Sequence, residues 1–302
     1  MRFFYGKQDM PTLERGEEFS FMATNGLGGY ASTTAAFSVP RCDQGLLIAA
    51  VKAPNERITM VHRLRETLTL GQSQSFLSSQ SFPDGTAEED GYKQLSSFTY
   101  EFVPQWTYQI RGVQVVRSCA MVFEENATGI IYRIENRTRE SCTLILEPFV
   151  KMAPKESALE EAKPLRFDNG AVTDGTYTLY IRTNGALSGQ PVCWQTLSYP
   201  EDARDGRPDT GLAGSCCRIE KTVAPGETAE LQLIFAMTRT DRDILIAFMN
   251  SIQYITVSHD LLFITVSRCC LFHEQLLNSG TGGYNSLDFI RSFCTLDFCN
   301  FN

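Results

Sequence analysis

The sequence lacks an excess of positive charge and any long apolar run. It has 27 Lys and Arg against 35 Asp and Glu in 302 residues, a formal net charge of −8. Because the affinity of proteins for nucleic acids depends mainly on phosphate contacts by basic groups, this balance argues against a nucleic-acid partner. No segment reaches the roughly 18 consecutive apolar residues of a membrane helix. The start, "MRFFYGKQDM", also lacks the apolar stretch of a secretory signal. We therefore expect no membrane partner and a cytoplasmic location.

Histidine is scarce, and neither the histidines nor the cysteines have the spacing of metal ligands. There are three histidines, His62, His259 and His273, without the spacing of a metal site. The ten cysteines include no C-x-x-C pair, and in a chain without a signal we expect them to stay reduced. The sequence thus predicts neither a metal site nor a cofactor.

Short β-branched and apolar segments are abundant. Runs such as "GLLIAAV" (45–51), "VQVVRSCAMVF" (113–123) and "AELQLIFAM" (229–237) recur, separated by turn signals such as "DNG" at 168–170. This pattern predicts an all-β fold, a large antiparallel β-sandwich over residues 1–240. Residues 154–165 read as briefly helical or disordered, and residues 71–97 and 199–214 as long surface loops.

Residues 241–302 differ in character from the sandwich. They begin with "DRDILIAFMNSI", which predicts a helical start, and continue as a cysteine-rich and phenylalanine-rich stretch with few charges. We expect a short, partly helical or irregular segment that is truncated or divergent.

The segment "TNGLGGYASTT" (24–34) has two interpretations. Read as G-x-G-x-x-A, it resembles a dinucleotide-binding turn, which requires a helix directly afterwards. The following "YASTTAAFSVPR" is poor helix material, so the glycines are better explained as residues that allow a tight connection between strands.

Several segments, in order, resemble the opening of the bacterial and archaeal glycogen debranching enzymes (amylo-α-1,6-glucosidases). These are "FMATNGLGGYASTTAAFSVPRCDQGLLIAAV", "PQWTYQIRGVQVV", "LILEPFV" and "YPEDARDG". Where that family typically has "R-R-Y-H-G-L-L", this chain has Arg41, Cys42, Asp43 and Gln44 before its glycine. The resemblance covers about residues 18–240 and implies a supersandwich domain without catalytic groups. The family's catalytic (α/α) barrel would follow residue 240, where this chain has only its short last segment.

The resemblance implies glycogen catabolism, with α-glucan and a debranching-enzyme catalytic domain as partners. Two alternatives remain open: a stand-alone carbohydrate-binding or docking module, and a non-functional fragment of a frameshifted gene. Aromatic faces and planar polar groups bind sugars. On that basis the candidate substrate-binding residues are Asn25, Tyr30, Arg41, Trp194, Tyr199 and Arg204, with Gly26, Gly28 and Gly29 as a structural loop.

No catalytic residue is predicted. Glycoside hydrolysis needs two carboxyl groups in different environments. The adjacent acids of this chain occupy polar, turn-like stretches, where we expect solvated side chains: Glu88–Glu89–Asp90, Glu124–Glu125, Glu160–Glu161 and Glu201–Asp202. His62 is predicted to be a packed or surface histidine, and Trp106 and Tyr108 to be core residues.

Overall fold

A computed structural model describes residues 2–52, 56–83 and 89–237, together with the strands Val257–Ser258 and Leu261–Leu262. The chain divides into two units, residues 1–239 and 240–302. In the second unit the structure describes only the antiparallel pair β20–β21 formed by those two strands. The helical start expected after residue 240 lies outside the described residues.

The first unit consists of strands with two short helices, α1 (Leu13–Glu17) and α2 (Pro200–Arg204), and two 3-10 turns, Lys7–Asp9 and Gly91–Gln94. The first nine strands are β1 (Phe3–Gly6), β2 (Ser20–Thr24), β3 (Tyr30–Thr34), β4 (Gly45–Lys52), β5 (Glu56–Leu70), β6 (Ser73–Phe76), β7 (Ser79–Gln80), β8 (Glu89–Asp90) and β9 (Leu95–Tyr100). The others are β10 (Pro104–Ile110), β11 (Val113–Met121), β12 (Ala127–Asn136), β13 (Cys142–Pro154), β14 (Arg166–Asp168), β15 (Ala171–Thr173), β16 (Thr178–Thr183), β17 (Ala186–Ser198), β18 (Thr210–Val223) and β19 (Thr228–Met237).

These strands form two large antiparallel sheets. Sheet A has nine strands in the order β1-β9-β10-β11-β12-β19-β16-β15-β14. Sheet B has eight, in the order β17-β18-β13-β5-β4-β3-β2, with β6 paired to β5. The predicted all-β antiparallel sandwich is confirmed.

Alternating burial along the strands determines which face of each sheet packs against the other sheet. Along β10, Trp106, Tyr108 and Ile110 are buried, while Thr107 and Gln109 between them are not. Such period-two burial packs one face of each sheet against the other. Trp106 and Tyr108 are therefore core residues, as predicted.

A charged network crosses this core between the sheets. The carboxylate of Glu66 on β5 pairs with the guanidinium of Arg117 on β11 and accepts a hydrogen bond from the Tyr132 hydroxyl on β12. Arg117 also donates to the Tyr108 hydroxyl at 2.8 Å, and its guanidinium carbon lies 3.2 Å from the ring centroid of Phe37. Glu66 and Arg117 are fully buried, so the pair links the two sheets away from solvent.

The three segments expected to be irregular differ from the prediction in part. Residues 71–97 contain β6, β7, β8 and a 3-10 turn, and Ser78 and Ser79 within them are buried. Residues 199–214 contain α2 and the start of β18. Both segments therefore contain short regular elements and buried polar side chains that the interpretation as long loops did not include, while residues 203–206 are exposed at the surface, as expected. Residues 155–165 contain no helix.

Candidate functional site

The glycine-rich segment forms the connection between β2 and β3, and Asn25 organises it. The Asn25 Oδ1 atom accepts from the backbone N–H groups of Leu27 (3.0 Å) and Gly29 (2.9 Å). Its Nδ2 donates to the Glu125 carbonyl (2.8 Å) and to Asn126 Oδ1 (3.2 Å). Asn25 is fully buried and all its polar atoms are engaged, so it holds the loop against the β11–β12 turn.

The local geometry explains why each of the three loop positions is a glycine. Gly26 and Gly28 have φ values of 78° and 94°, which residues with a Cβ rarely adopt. A Cβ on Gly29 would lie 2.6 Å from Asn25 Nδ2. Strand β3 follows the loop, so the helix that a dinucleotide site requires is replaced by a strand. The interpretation as a strand connection fits this geometry.

Two large apolar side chains stand exposed at this loop. Phe123, in the β11–β12 turn, is 73% exposed, and Leu27, in the glycine loop, is 40% exposed. A Cβ on Gly26 would lie 2.8 Å from the Phe123 ring, so the two turns are in contact here. The next residue, Glu124, has a left-handed backbone with φ of 59°, a conformation that costs about 1–3 kcal/mol in a non-glycine residue. We call Leu27 and Phe123 the apolar pair.

A second cluster lies on the outer face of sheet B, where the loop before β4 meets α2. The backbone N–H of Cys42 donates to Asp202 Oδ2 at 2.7 Å. The Tyr30 hydroxyl donates to the Asp43 carbonyl at 2.7 Å, and Arg207 forms ion pairs with Asp43 and Asp202. We call this region, formed by residues 41–44 and 199–207, the α2 corner.

Beneath the α2 corner lies a buried imidazole. His62 Nδ1 lies 2.8 Å from the Gln44 carbonyl, and its Nε2 lies 2.9 Å from the Tyr199 hydroxyl. Burial lowers the pKa of His62 well below its usual 6.5, and the Lys151 charge adds to this effect. His62 is thus a packed, neutral histidine, one of the two predicted outcomes. Tyr199 is fully buried as its partner.

The two predicted arginines lie at the surface of the α2 corner. Arg41 forms ion pairs with Asp202, Asp205 and Glu201, and its side chain is about one-third exposed. Arg204 is exposed and pairs with Glu201 within α2. The structure therefore brings Tyr30, Arg41, Tyr199 and Arg204 into one region, while Asn25 lies in the neighbouring glycine loop.

Trp194 lies apart from this region. It pairs with Gly214 along β17 and β18 and packs, half-buried, against the core between the sheets. Tyr199 belongs instead to the small apolar cluster on the outer face, with Leu197 and Phe149. Because they pack in different clusters, the two predicted aromatics do not form a common surface.

Two of the predicted surface acids are buried, which corrects the prediction. Glu89 pairs with Arg63 and accepts a hydrogen bond from the Ser78 hydroxyl at 2.8 Å. Asp202 is fully buried under Arg207. Their partners offset the cost of burying a charge. Glu124, Glu160 and Glu161 are exposed, and Glu88 lies outside the described residues.

Lys151 is a functional candidate that the sequence pattern did not reveal. Its ammonium is buried and donates to the carbonyls of Cys42 (2.8 Å) and Lys155 (3.0 Å). Burial lowers the pKa of Lys151 to about 8. The sequence does place Lys151 on the same outward-facing side of β13 as Glu147 and Phe149. It does not show that other parts of the chain bury this side of the strand.

Glu17 is a second buried titratable group near the α2 corner. It is 7% exposed at the end of α1, and Ser38 is its side-chain hydrogen-bond partner. Burial raises the pKa of Glu17 from 4.5 to about 7. The nearby Glu201 and Glu14 carboxylates raise it further, while the Ser38 hydrogen bond and Arg204 oppose the shift.

This shift predicts a pH-dependent contribution to stability. A carboxyl whose pKa is raised by folding stabilises the fold fully below its unfolded pKa, and that contribution is lost as the pH rises through the folded pKa. Between pH 4.5 and 7 the loss amounts to about 3 kcal/mol at 1.36 kcal/mol per pKa unit. Glu17→Gln should therefore raise the free energy of unfolding at pH 8 by about 1–3 kcal/mol. Urea unfolding at pH 4 and pH 8 measures this.

The control is Glu161→Gln, whose carboxyl is exposed in the irregular segment between β13 and β14. It should leave the difference between pH 4 and pH 8 nearly unchanged. Equal behaviour of the Glu17 and Glu161 variants would contradict the assignment of this pH dependence to Glu17.

Metal sites, membrane-spanning helices and disulfides are absent from the described residues. Within residues 2–52, 56–83 and 89–237, no group of three or more His, Cys, Asp or Glu side chains is placed to hold a metal ion. In the same part of the chain, no helix combines the length and apolar character needed to cross a membrane. The six cysteines there are free thiols, of which only Cys193 is exposed.

Comparison with known proteins places the chain in a family. A family model described as "Glycogen debranching enzyme N terminal" matches residues 20–230. Among solved structures, a bacterial glucoamylase complexed with acarbose matches with 8% identity and a TM-score of 0.43, over 78% of this chain and 34% of that chain. A protein assigned as a kojibiose phosphorylase from the human microbiome matches with 10% identity and a TM-score of 0.42, over 90% and 37%.

No curated protein matches significantly. The chain spans about a third of the length of the two solved structures. The family model, in contrast, covers more than half of the 302 residues and includes the glycine loop, the α2 corner and strands β2 to β18. The chain therefore belongs to the family of glycogen debranching enzyme N-terminal domains.

Proposed function

We propose that the sandwich is the non-catalytic N-terminal domain of a glycogen debranching enzyme, an amylo-α-1,6-glucosidase of glycogen catabolism. In this role it supports the catalytic domain and contacts α-glucan. The observation that carries the proposal is the family match over residues 20–230. We also propose a reducing, cytoplasmic location, which the free thiols of the described residues support.

The placement of the buried carboxyl groups supports a role without hydrolysis. A glycosidase needs one protonated and one ionised carboxyl group on either side of the substrate bond. In this sandwich Glu66 is enclosed between the sheets by Arg117, and Glu89 is covered with Arg63. Asp202 is held under Arg207 and the Cys42 backbone. These three acids serve structural contacts.

The apolar pair supports a docking role for the glycine loop. Exposed aromatic and aliphatic groups that are held rigidly are typical anchors of protein interfaces. Asn25 fixes the backbone of Leu27, and Glu124 N–H donates to the Asn25 carbonyl at 2.7 Å beside Phe123. We propose that the catalytic domain of a debranching enzyme packs on this pair.

Association with a separately purified catalytic domain from a full-length family member tests the proposal. The double variant Leu27→Ser and Phe123→Ser should weaken association about tenfold or more, because truncating an anchor typically costs about 2 kcal/mol. Val192→Ser is the control, since Val192 is 45% exposed on β17, and β17 and β2 are the opposite ends of the strand order of sheet B. Isothermal calorimetry measures both constants. Equal affinities of the double variant and the wild type would contradict docking at this pair.

A carbohydrate-binding module that acts without a catalytic domain is the second candidate function. It is favoured by an open groove with aromatic and polar lining at the edge of the sandwich that includes β14 and β17. Such a module would bind α-glucan but would not associate with the catalytic domain of a debranching enzyme.

A further inference from the structure

An open groove of about 320 Å³ lies between the β14–β15 hairpin and the neighbouring strands β16 and β17. Its lining includes Phe167, Asn169, Arg182, Thr183 and Leu187. These strands end the order of both sheets, whereas β1 and β2 form the other ends. The groove is therefore separate from the glycine loop, which follows β2. It is also separate from the α2 corner, because its lining residue Leu187 lies near the start of β17, whereas the corner follows the end of that strand. Its volume is at the lower end of the range of small-ligand sites.

The turn that forms one wall has a defined geometry. Asp168 pairs with Ala171, which leaves a two-residue turn of Asn169 and Gly170 with φ values of 46° and 77°. Two positive φ values identify the type I′ turn, for which Asn-Gly is the preferred sequence. The turn fixes the backbone of the exposed Asn169, so its carboxamide is carried on a rigid support at the groove.

Two glycines leave room for the larger side chains of the groove. A Cβ on Gly170 would lie 2.7 Å from Arg182 Nη1. A Cβ on Gly189 would lie 2.9 Å from Cδ1 of the Phe167 ring. Any larger residue at either position would displace the guanidinium or the ring. Backbone shape thus holds Arg182 and Phe167 where they line the groove.

The guanidinium of Arg182 has unused hydrogen-bonding capacity. Within the described residues, its guanidinium makes one hydrogen bond, from Nη1 to the Ile181 carbonyl at 3.0 Å, and pairs with no carboxylate. A guanidinium has five N–H donors, so several remain for a ligand. A half-buried polar group with spare donors beside an aromatic ring suits a ligand rich in oxygen acceptors.

We propose that this groove binds a glucosyl segment of α-glucan, an inference that rests on the proposed function. The Phe167 ring and Leu187 offer apolar surface to the C–H face of the sugar, while Arg182 and Asn169 offer planar polar groups to its hydroxyls. A single arginine in a chain of net charge −8 favours a neutral sugar over a polyanion. The groove thus provides an attachment point for the polymer away from the docking surface.

Calorimetric titration of the full chain with maltoheptaose tests the inference. Arg182→Gln removes the spare donors, and Asn169→Gly removes the carboxamide while keeping a residue that tolerates positive φ. Each should weaken binding about fivefold or more, in line with loss of a hydrogen bond worth about 1 kcal/mol or more. The control is Arg139→Gln, which alters an exposed arginine of a different surface groove and should change affinity less than about twofold.

Each outcome of this titration decides the inference. If the wild type binds maltoheptaose and both groove variants bind equally well, the groove assignment is wrong, while glucan contact elsewhere on the domain still stands. If inorganic phosphate binds in place of maltoheptaose and Arg182→Gln abolishes it, the site is an anion site and the inference is overturned. If the wild type shows no binding at about 10 mM maltoheptaose, its dissociation constant is far above the millimolar range of weak binding, and the inference also fails. Docking of the catalytic domain is judged separately by the association experiment.

Discussion

Replacing Arg117 with methionine is expected to lower the free energy of unfolding by about 3–5 kcal/mol, because it strands the Glu66 carboxylate inside the core. For a domain of this size, that loss corresponds to a fall in Tm of about 6–20 °C. Burial already raises the pKa of Glu66, opposed by the Arg117 charge and the Tyr132 hydroxyl. Without the guanidinium, the carboxyl must take up a proton to remain buried.

The surroundings of Arg117 add to this expected loss. Its guanidinium carbon lies 4.3 Å from the Trp106 ring centroid and 3.2 Å from that of Phe37. Phe37 has a left-handed backbone with φ of 55°, a conformation that the surrounding contacts must hold in place. Loss of the stacked cation therefore also weakens the turn after β3.

Thermal and urea unfolding followed by near-ultraviolet circular dichroism measure the effect. The double variant Glu66→Leu and Arg117→Met should recover most of the loss, since replacing both members of a buried pair with apolar groups is often neutral. Arg137→Met is the control, because its pair with Glu135 is exposed to solvent and contributes little to stability. A cost below about 1 kcal/mol for Arg117→Met would contradict a structural role for the pair.

The strands could be predicted from the sequence where short apolar runs are bounded by turn signals. The runs at 45–51 and 229–237 correspond to β4 and β19, in which residues 45–49 and 233–237 are buried without interruption. The turn signal "DNG" corresponds to the tight turn between β14 and β15. Local chemistry determines such elements, so the predicted fold class was confirmed.

The buried charges could not be predicted in the same way. Glu66 and Arg117 are distant in sequence, and each lies within a strand, β5 or β11, whose other residues give no sign of the pairing. Asp202 and Glu89 read as turn acids because the arginines that bury them, Arg207 and Arg63, meet them only in the folded chain. Long-range pairing decides whether an acid is solvated, and a single sequence does not record it.

The candidate site was predicted in part. The glycine loop was recognised from its spacing, and Asn25 has the polar contacts that explain it. Trp194 and Tyr199 do not form one site, because Trp194 packs against the core between the sheets and Tyr199, at the start of α2, belongs to the apolar cluster on the outer face. Substrate binding by the six predicted residues remains a prediction, and Asn25, with its amide fully engaged, is better suited to support the loop.

The second large effect concerns hydrolysis. A debranching enzyme must supply one acidic and one basic carboxyl group at the scissile bond, and loss of either typically removes nearly all activity. Of the four acids buried in the described part of this sandwich, Glu66, Glu89 and Asp202 are engaged by arginines, and Glu17 is hydrogen-bonded to Ser38. We therefore expect the purified chain to release no reducing ends from a branched limit dextrin. A full-length family member, assayed in parallel, should hydrolyse the same substrate.

Two controls make this assay specific. The full-length enzyme carrying serine at the positions matching Leu27 and Phe123 should lose activity if the apolar pair positions the catalytic domain. The same enzyme altered at the position matching Val192 should retain it, since Val192 lies on β17, at the opposite end of the sheet B strand order from β2.

The most direct test of the account is the release of reducing ends from branched limit dextrin by the isolated chain. The account predicts a rate equal to that of the buffer blank at any chain concentration. A rate that rises in proportion to the amount of chain, and that survives separation of contaminating glucosidases by a second chromatographic step, would contradict it.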